Sequence, residues 1–288
     1  MRYRDGTAAC CKLVIMAAAT VNNVNGFAFP ITDDDRSAFW RDGHILLRSI
    51  ATAGYISEFR PAIAEATARY SVETRKLADR DTYGKAFLQV TNLWRHDENV
   101  RQFVFEKRFA QIAADLLGVE KVRLYHDQAL FKEPLGGPTP WHQDKYYWPL
   151  DTDKAVTMWM PLGDIDEQMG MLKFASGSHK LDSDGSFEIS DESDAEFRKY
   201  IGEREFPIAG TISMSAGDAT FHLSGTIHSA GPNKSPDKTR EIMTVIYFAD
   251  GAKVTEPEND HQAADLHAWL GGRSPGERAN SDLNPILN

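Results

Sequence analysis

Thr139-Pro-Trp-His-Gln-Asp144 places an imidazole, His142, two residues before a carboxylate, Asp144. On an extended segment, residues i and i+2 point to one face, so both groups can reach one metal ion from a strand edge. The chain around this stretch reads as strands. Residues 121–132, 157–162, 171–175, 211–215, 219–222 and 242–249 are rich in strand formers and are separated by Gly, Pro and Asp. The N-terminal part reads as helix. Thr32-Asp-Asp-Asp35 supplies an N-cap hydroxyl and acids for a first turn, and Gly43 follows as a stop. A short strand is expected at 44–48. A helix is expected over 53–77, with Ile56, Phe59, Ile63 and Ala66 at helical spacing and Pro61 marking a kink or a later start. Another is expected over 100–117, ended by Gly118. The acidic run 182–205 reads as an insertion loop or a short surface helix. Helices first and short strands after give a mainly β fold with N-terminal helices, a sandwich or barrel buttressed on one side.

Two His and one carboxylate on one face of an octahedron leave three coordination positions open. Thr226-Ile-His228-Ser-Ala-Gly-Pro-Asn233 supplies a third candidate ligand, His228, where a strand pattern runs into turn residues. His222 competes for that role, and the spacing to Arg240 and the Gly-Pro-Asn turn favour His228. Arg240 opens a strand twelve residues on, and a fixed guanidinium can fork onto a carboxylate. His126 is read as a strand residue, with lining the pocket as the lesser alternative, and Trp269 as an anchor for the tail rather than a site residue. Tyr146, Tyr147 and Trp148 follow the motif directly and are candidates for an aromatic wall over the metal. Lys132 is a candidate for an anionic substrate group.

Composition narrows the function classes. The formal net charge is −10, with 32 basic and 42 acidic residues, which argues against a nucleic-acid partner. No apolar run approaches a membrane span, so no membrane partner is expected. Cys10 and Cys11 are adjacent and cannot staple a fold, which suits a reducing, cytoplasmic compartment. Residues 12–20 have a basic flank and a short apolar core, but Asp5 breaks the basic region. Residues 1–25 are therefore read as a poorly ordered N-terminal extension, and 26–288 as one domain.

The chain resembles the phytanoyl-CoA dioxygenase family of iron(II)- and 2-oxoglutarate-dependent oxygenases. The resemblance lies in Leu124-Tyr-His-Asp-Gln-Ala-Leu-Phe-Lys-Glu-Pro134, Pro140-Trp-His-Gln-Asp144, Phe174-Ala-Ser-Gly-Ser-His179, Gly217-Asp-Ala-Thr-Phe-His222 and His228 through Arg240, in that order. It implies a double-stranded β-helix, the cupin-like jelly roll. It implies His142, Asp144 and His228 as Fe(II) ligands and Arg240 as partner of the distal 2-oxoglutarate carboxylate. Gln89, Gln128, Gln143 and Trp159 match positions that contact this cosubstrate. Two residues after the distal His the family often has a hydroxyl residue; here Ala230 stands there with Ser229 beside it.

The implied reaction uses O2 and 2-oxoglutarate to hydroxylate an unactivated C–H bond of a small molecule, a lipid-like acid or natural product, releasing succinate and CO2. Asp144 disfavours halogenation, for which related enzymes replace the carboxylate by a small residue. The acidic balance weighs against a CoA thioester. The rival reading is a metal-binding jelly roll that is no oxygenase, a cupin-like isomerase or a 2-oxoglutarate sensor. It has no need of Arg240 and the glutamines. Oligomeric state is not legible.

Overall fold

A computed structural model describes residues 29–180 and 188–288. The expected 1–25 extension lies outside the described residues. The chain opens with α1 (Asp33–Asp42), β1 (His44–Leu47), α2 (Ala53–Tyr70), α3 (Thr82–Ala86), β2 (Leu88–Thr91), α4 (Glu98–Val104) and α5 (Lys107–Leu117). Then come β3 (Val122–Lys132), β4 (Thr139–His142), β5 (Ala155–Pro161), β6 (Ile165–Asp166), β7 (Leu172–Ala175), α6 (Asp191–Glu203), β8 (Ile208–Gly210) and β9 (Ser213–Met214). The rest comprises β10 (Ala219–Leu223), β11 (His228–Ala230), β12 (Arg240–Ala249) and α7 (Asp260–Trp269).

Two antiparallel sheets make a jelly roll. The larger runs β1-β10-β5-β12-β3-β2 and the smaller β4-β11-β7-β8. Thr32 starts α1 through a capping box, accepting from the Asp35 N–H while the Asp35 carboxylate accepts from the Thr32 N–H. Gly43, at φ +82°, closes the helix in the left-handed conformation. α5 buries Phe109, Ile112, Ala113, Leu116 and Leu117 and lies against β12, β3 and β5. Strand alternation then sorts β5: Val156, Met158 and Met160 join the core under the helices, and Thr157 and Trp159 face a cavity. Each large apolar side chain buried in this layer contributes about 1.5–3 kcal/mol.

β3 carries a bulge. Val245 pairs with Asp127 but Tyr247 pairs with Leu124, so three residues of β3 span two of β12. Before it Val122 and Leu124 belong to the core under the helices; after it Gln128 and Leu130 face the cavity. The extra residue brings His126 to the cavity side, with Tyr125 packed against Trp148, Ile246 and Phe248.

The elements differ from expectation in places. α2 ends at Tyr70, and Pro61 sits inside it on the exposed face, near exposed Ser57, whose carbonyl loses the i+4 donor. The helix expected over 100–117 is two, because Glu106 caps a new start by accepting from the Arg108 N–H. The acidic run contains α6, which holds the edge of β4 through the Asp194 carboxylate and the Trp141 N–H. β2, β8 and α7 had no clear pattern in the sequence.

The turn before β10 depends on Gly217, at φ +97°, where an added Cβ would lie 2.1 Å from the Ala51 carbonyl oxygen. That contact is backbone on backbone, since the Ala51 N–H donates to the Gly217 carbonyl at 3.1 Å. Gly217→Ala should lower stability by about 1–3 kcal/mol, read as a shifted midpoint in urea unfolding.

Candidate metal centre and ligand cavity

His142, ending β4, pairs directly with His228, opening β11. Their ring centroids are 4.1 Å apart and both side chains are buried. Each Nδ1 sits against a carbonyl two residues back: His142 on Pro140 at 2.8 Å, His228 on Thr226 at 2.9 Å. An N–H donated there leaves the Nε2 lone pair free. Burial pushes both imidazoles below their ordinary value, toward the neutral, ligating form.

Asp144 starts a short turn after β4, with Oδ1 3.8 Å from each Nε2. Its Oδ2 accepts from the Thr157 hydroxyl at 2.8 Å. Burial alone would raise this carboxyl, but His228, His222 and His142 around it hold it well below the usual carboxylate range. The three candidate ligand atoms lie within 4.8 Å of one another. Two neutral nitrogens and one carboxylate oxygen, with fixed orientations, fit a divalent iron site with open positions. His222, the competitor, lies on β10 in the other sheet. Its Nε2 is 3.3 Å from Asp144 Oδ2, so it abuts the carboxylate.

The triad borders a cavity of about 330 Å³. Arg240 enters it 1% exposed. Its Nη1 donates to the Gly170 carbonyl, its Cζ lies 5.4 Å from the Trp159 ring centroid, and its Nε has no partner among the described residues. Burial lowers the guanidinium to about 9. Lys132 is its cross-strand partner, fully buried, donating to the Gly137 carbonyl and lying 3.4 Å from the Thr139 hydroxyl. Burial, then Arg240, lowers Lys132 to about 6. No carboxylate offsets either group among the described residues. A buried guanidinium without an anion is costly, and a ligand carboxylate would relieve it; Lys132 behind it is pushed toward its neutral form. Gln89 and Gln128 complete this wall, Gln89 donating to Gln128 and accepting from Tyr83.

Several expected positions lie elsewhere. Gln143 alternates with His142 and Asp144, and its amide donates to the Gly225 carbonyl at 2.5 Å, away from the cavity. Ser229 alternates likewise between His228 and Ala230, opposite Lys173 on β7, and Ala230 takes the cavity side. Lys132 belongs with Arg240 and does not line the cavity, because its ammonium is spent on Gly137 and Thr139. Tyr147 and Trp148 line the cavity. Tyr146 turns to a neighbouring hollow with Lys145 and Asn259. Unforeseen lining residues are Tyr83, Phe87, Asp265 and Trp269. Asp265 and Trp269 stand four apart on α7, a same-face spacing that shows nothing until the helix is known to fold back.

The family model for phytanoyl-CoA dioxygenase matches residues 39–242. Over 185 residues the chain is 28% identical to a probable alpha-ketoglutarate-dependent hypophosphite dioxygenase of Stutzerimonas stutzeri, a match over 60% of this chain and 64% of that protein, less than two thirds of its length. Among solved structures, the epimerase SnoN in complex with Fe3+, alpha ketoglutarate and nogalamycin RO is 26% identical, covering 88% of this chain and 97% of that one, at a TM-score of 0.70. The alpha ketoglutarate dependent carbocyclase SnoK shares the fold at a TM-score of 0.74 and 23% identity, over 91% of this chain and 100% of that one. No helix among the described residues is long and apolar enough to cross a membrane.

Thr157→Val removes the hydroxyl that orients Asp144 and keeps the side-chain shape. It should weaken Fe(II) binding about ten-fold, measured by anaerobic titration.

Proposed function

The chain belongs to the phytanoyl-CoA dioxygenase family, and on that premise we propose that it is an iron(II)- and 2-oxoglutarate-dependent dioxygenase that hydroxylates a C–H bond of a small organic molecule. The observation that carries this is the pairing of His142 with His228 beside Asp144, within one cavity that also holds an unpaired, buried guanidinium. A metal-binding jelly roll with no cosubstrate would keep the first feature and would gain nothing from the second.

The roles follow from the side chains. His142, Asp144 and His228 would hold Fe(II). Iron bound there would supply O2 activation coupled to oxidative decarboxylation of 2-oxoglutarate to succinate and CO2, with the second oxygen atom available for the substrate. Arg240, with Lys132 behind it, fixes the far carboxylate of the cosubstrate by charge-assisted hydrogen bonds. Trp159 holds the guanidinium plane from below, and the Gly170 carbonyl occupies one of its donors, so the remaining fork has a set direction. Gln89 and Gln128 offer neutral amides along the same wall. Buried aromatic side chains exclude water from the rest. The substrates of the relatives do not transfer at this identity; a 330 Å³ cavity shared with 2-oxoglutarate supports a small-molecule substrate.

Anaerobic addition of Fe(II) and then 2-oxoglutarate should produce a visible metal-to-ligand charge-transfer band. His228→Ala should lack it, and iron binding without any band in the wild type would refute the cosubstrate. His228→Ala and Asp144→Ala should abolish succinate release. Arg240→Ala should weaken 2-oxoglutarate binding by about 1.5–3 kcal/mol, with iron affinity retained; wild-type cosubstrate affinity would overturn its role.

A further inference from the structure

We propose that the cavity wall around Asp265 is a recognition subsite in which this carboxylate, beside the His126 ring, selects a small neutral or cationic molecule bearing an amine or hydroxyl donor. The proposal rests on the oxygenase reading only in calling that molecule the substrate; the subsite itself is built from protein groups alone.

β3 sets the distance. Lys132 pairs with Arg240 at one end of this strand, and His126 lies six residues earlier. At about 3.3 Å per residue their Cα atoms are on the order of 15–20 Å apart. Neither Arg240 nor Lys132 is among the groups that act on the Asp265 carboxyl. Around that carboxyl the cavity is also lined by His126, Tyr147, Trp148 and Trp269.

Asp265 is held by two neutral donors. The Tyr125 hydroxyl donates to Oδ2 at 2.9 Å and the Trp269 indole to Oδ1 at 3.1 Å. Each oxygen keeps acceptor capacity, and no Lys or Arg bridges this carboxylate among the described residues. His261 also acts on it, and that ring packs on Tyr146 and Tyr147 and lies 3.4 Å from Glu188. Burial raises the Asp265 carboxyl to about 6, still ionised for the most part at pH 7.5.

His126 is the second observation. The side chain is 4% exposed, and its Nδ1 has no hydrogen-bond partner among the described residues. That atom is itself enclosed, so what borders the cavity is the rest of the ring, beside Asp265. The ring packs on Trp269 at 5.1 Å between centroids, and the β3 bulge turns it inward. A carboxylate or phosphate here would meet Asp265 with no cation to offset it. A hydroxyl or ammonium would donate to Asp265, and the indole and phenol faces of Trp269, Trp148 and Tyr147 would pack its apolar body. This sets the pocket against the lipid-like acid expected from the sequence.

The test uses benzylamine, benzyl alcohol and benzoate, three fragments of nearly one size that differ in charge. Each is titrated against the full chain by ligand-observed NMR at pH 7.5, first without metal and then with a redox-inert zinc ion and 2-oxoglutarate; benzoate is judged only in the second state, where 2-oxoglutarate fills the Arg240 end. Benzylamine and benzyl alcohol should bind and benzoate should not. Asp265→Asn, which keeps the shape and removes the charge, should weaken benzylamine about ten-fold or more and benzyl alcohol less. Its charge-transfer band with Fe(II) and 2-oxoglutarate should match the wild type, which certifies that the site is folded. Benzoate binding as well as benzylamine, no binding of either donor fragment, or benzylamine affinity unchanged in a band-positive Asp265→Asn, would each overturn the subsite. A missing charge-transfer band in the wild type would instead refute the oxygenase reading, and donor-fragment binding in the metal-free protein would stand apart from it.

Discussion

The register between β4 and β11 is the constraint on which the centre depends. It sets His142 opposite His228, and the backbone itself supplies the carbonyls that fix each ring. The orienting acceptors are therefore not side chains on other elements but the same two strands, two residues back. A one-residue slip of β11 against β4 would turn His228 to the opposite face and leave His142 and Asp144 without it. The larger sheet contributes the pieces that must not move relative to this pair: Thr157 on the carboxylate, and Arg240 at the far end. α6 clamps the outer edge of β4, which would otherwise be an unpaired strand edge beside the metal ligands.

Electrostatically the cavity is divided. One end holds the Arg240 guanidinium, which no carboxylate answers among the described residues; the middle holds the ionised Asp144; the other end carries Asp265 on neutral donors. A dianionic cosubstrate has one favourable direction of entry into such a gradient. Low dielectric strengthens that preference, since the same charges on the surface would be screened.

The chemistry was more legible than the walls. His142, Asp144, His228 and Arg240 could be singled out because their types and spacing are chemically unusual, and the structure brings all four to one cavity. The fold class followed from helix patterns before strand patterns. Gln143 and Ser229 were misplaced for one reason: each neighbours a ligand in sequence, and on a strand the neighbour faces away. Lys132 was misplaced because exposure cannot be read from a single lysine. Asp265 and Trp269 could not be found at all, since only the return of α7 across the sheet brings them to the site. His126 was hidden by the bulge: with strict alternation it would share the face of Leu124, under the helices, and the sequence carries no mark of the extra residue.

That bulge separates two properties that strands usually couple. Upstream of it the even-numbered Val122 and Leu124 face the interior, and downstream the even-numbered Gln128 and Leu130 face the cavity, so one inserted residue acts as a phase shift. Gaining or losing such a residue would re-aim the His126 end of the cavity while leaving His142, Asp144, His228 and Arg240 in register. A scaffold with this arrangement can drift from one substrate to another by a length change of a single codon, without first having to sacrifice its oxidative machinery.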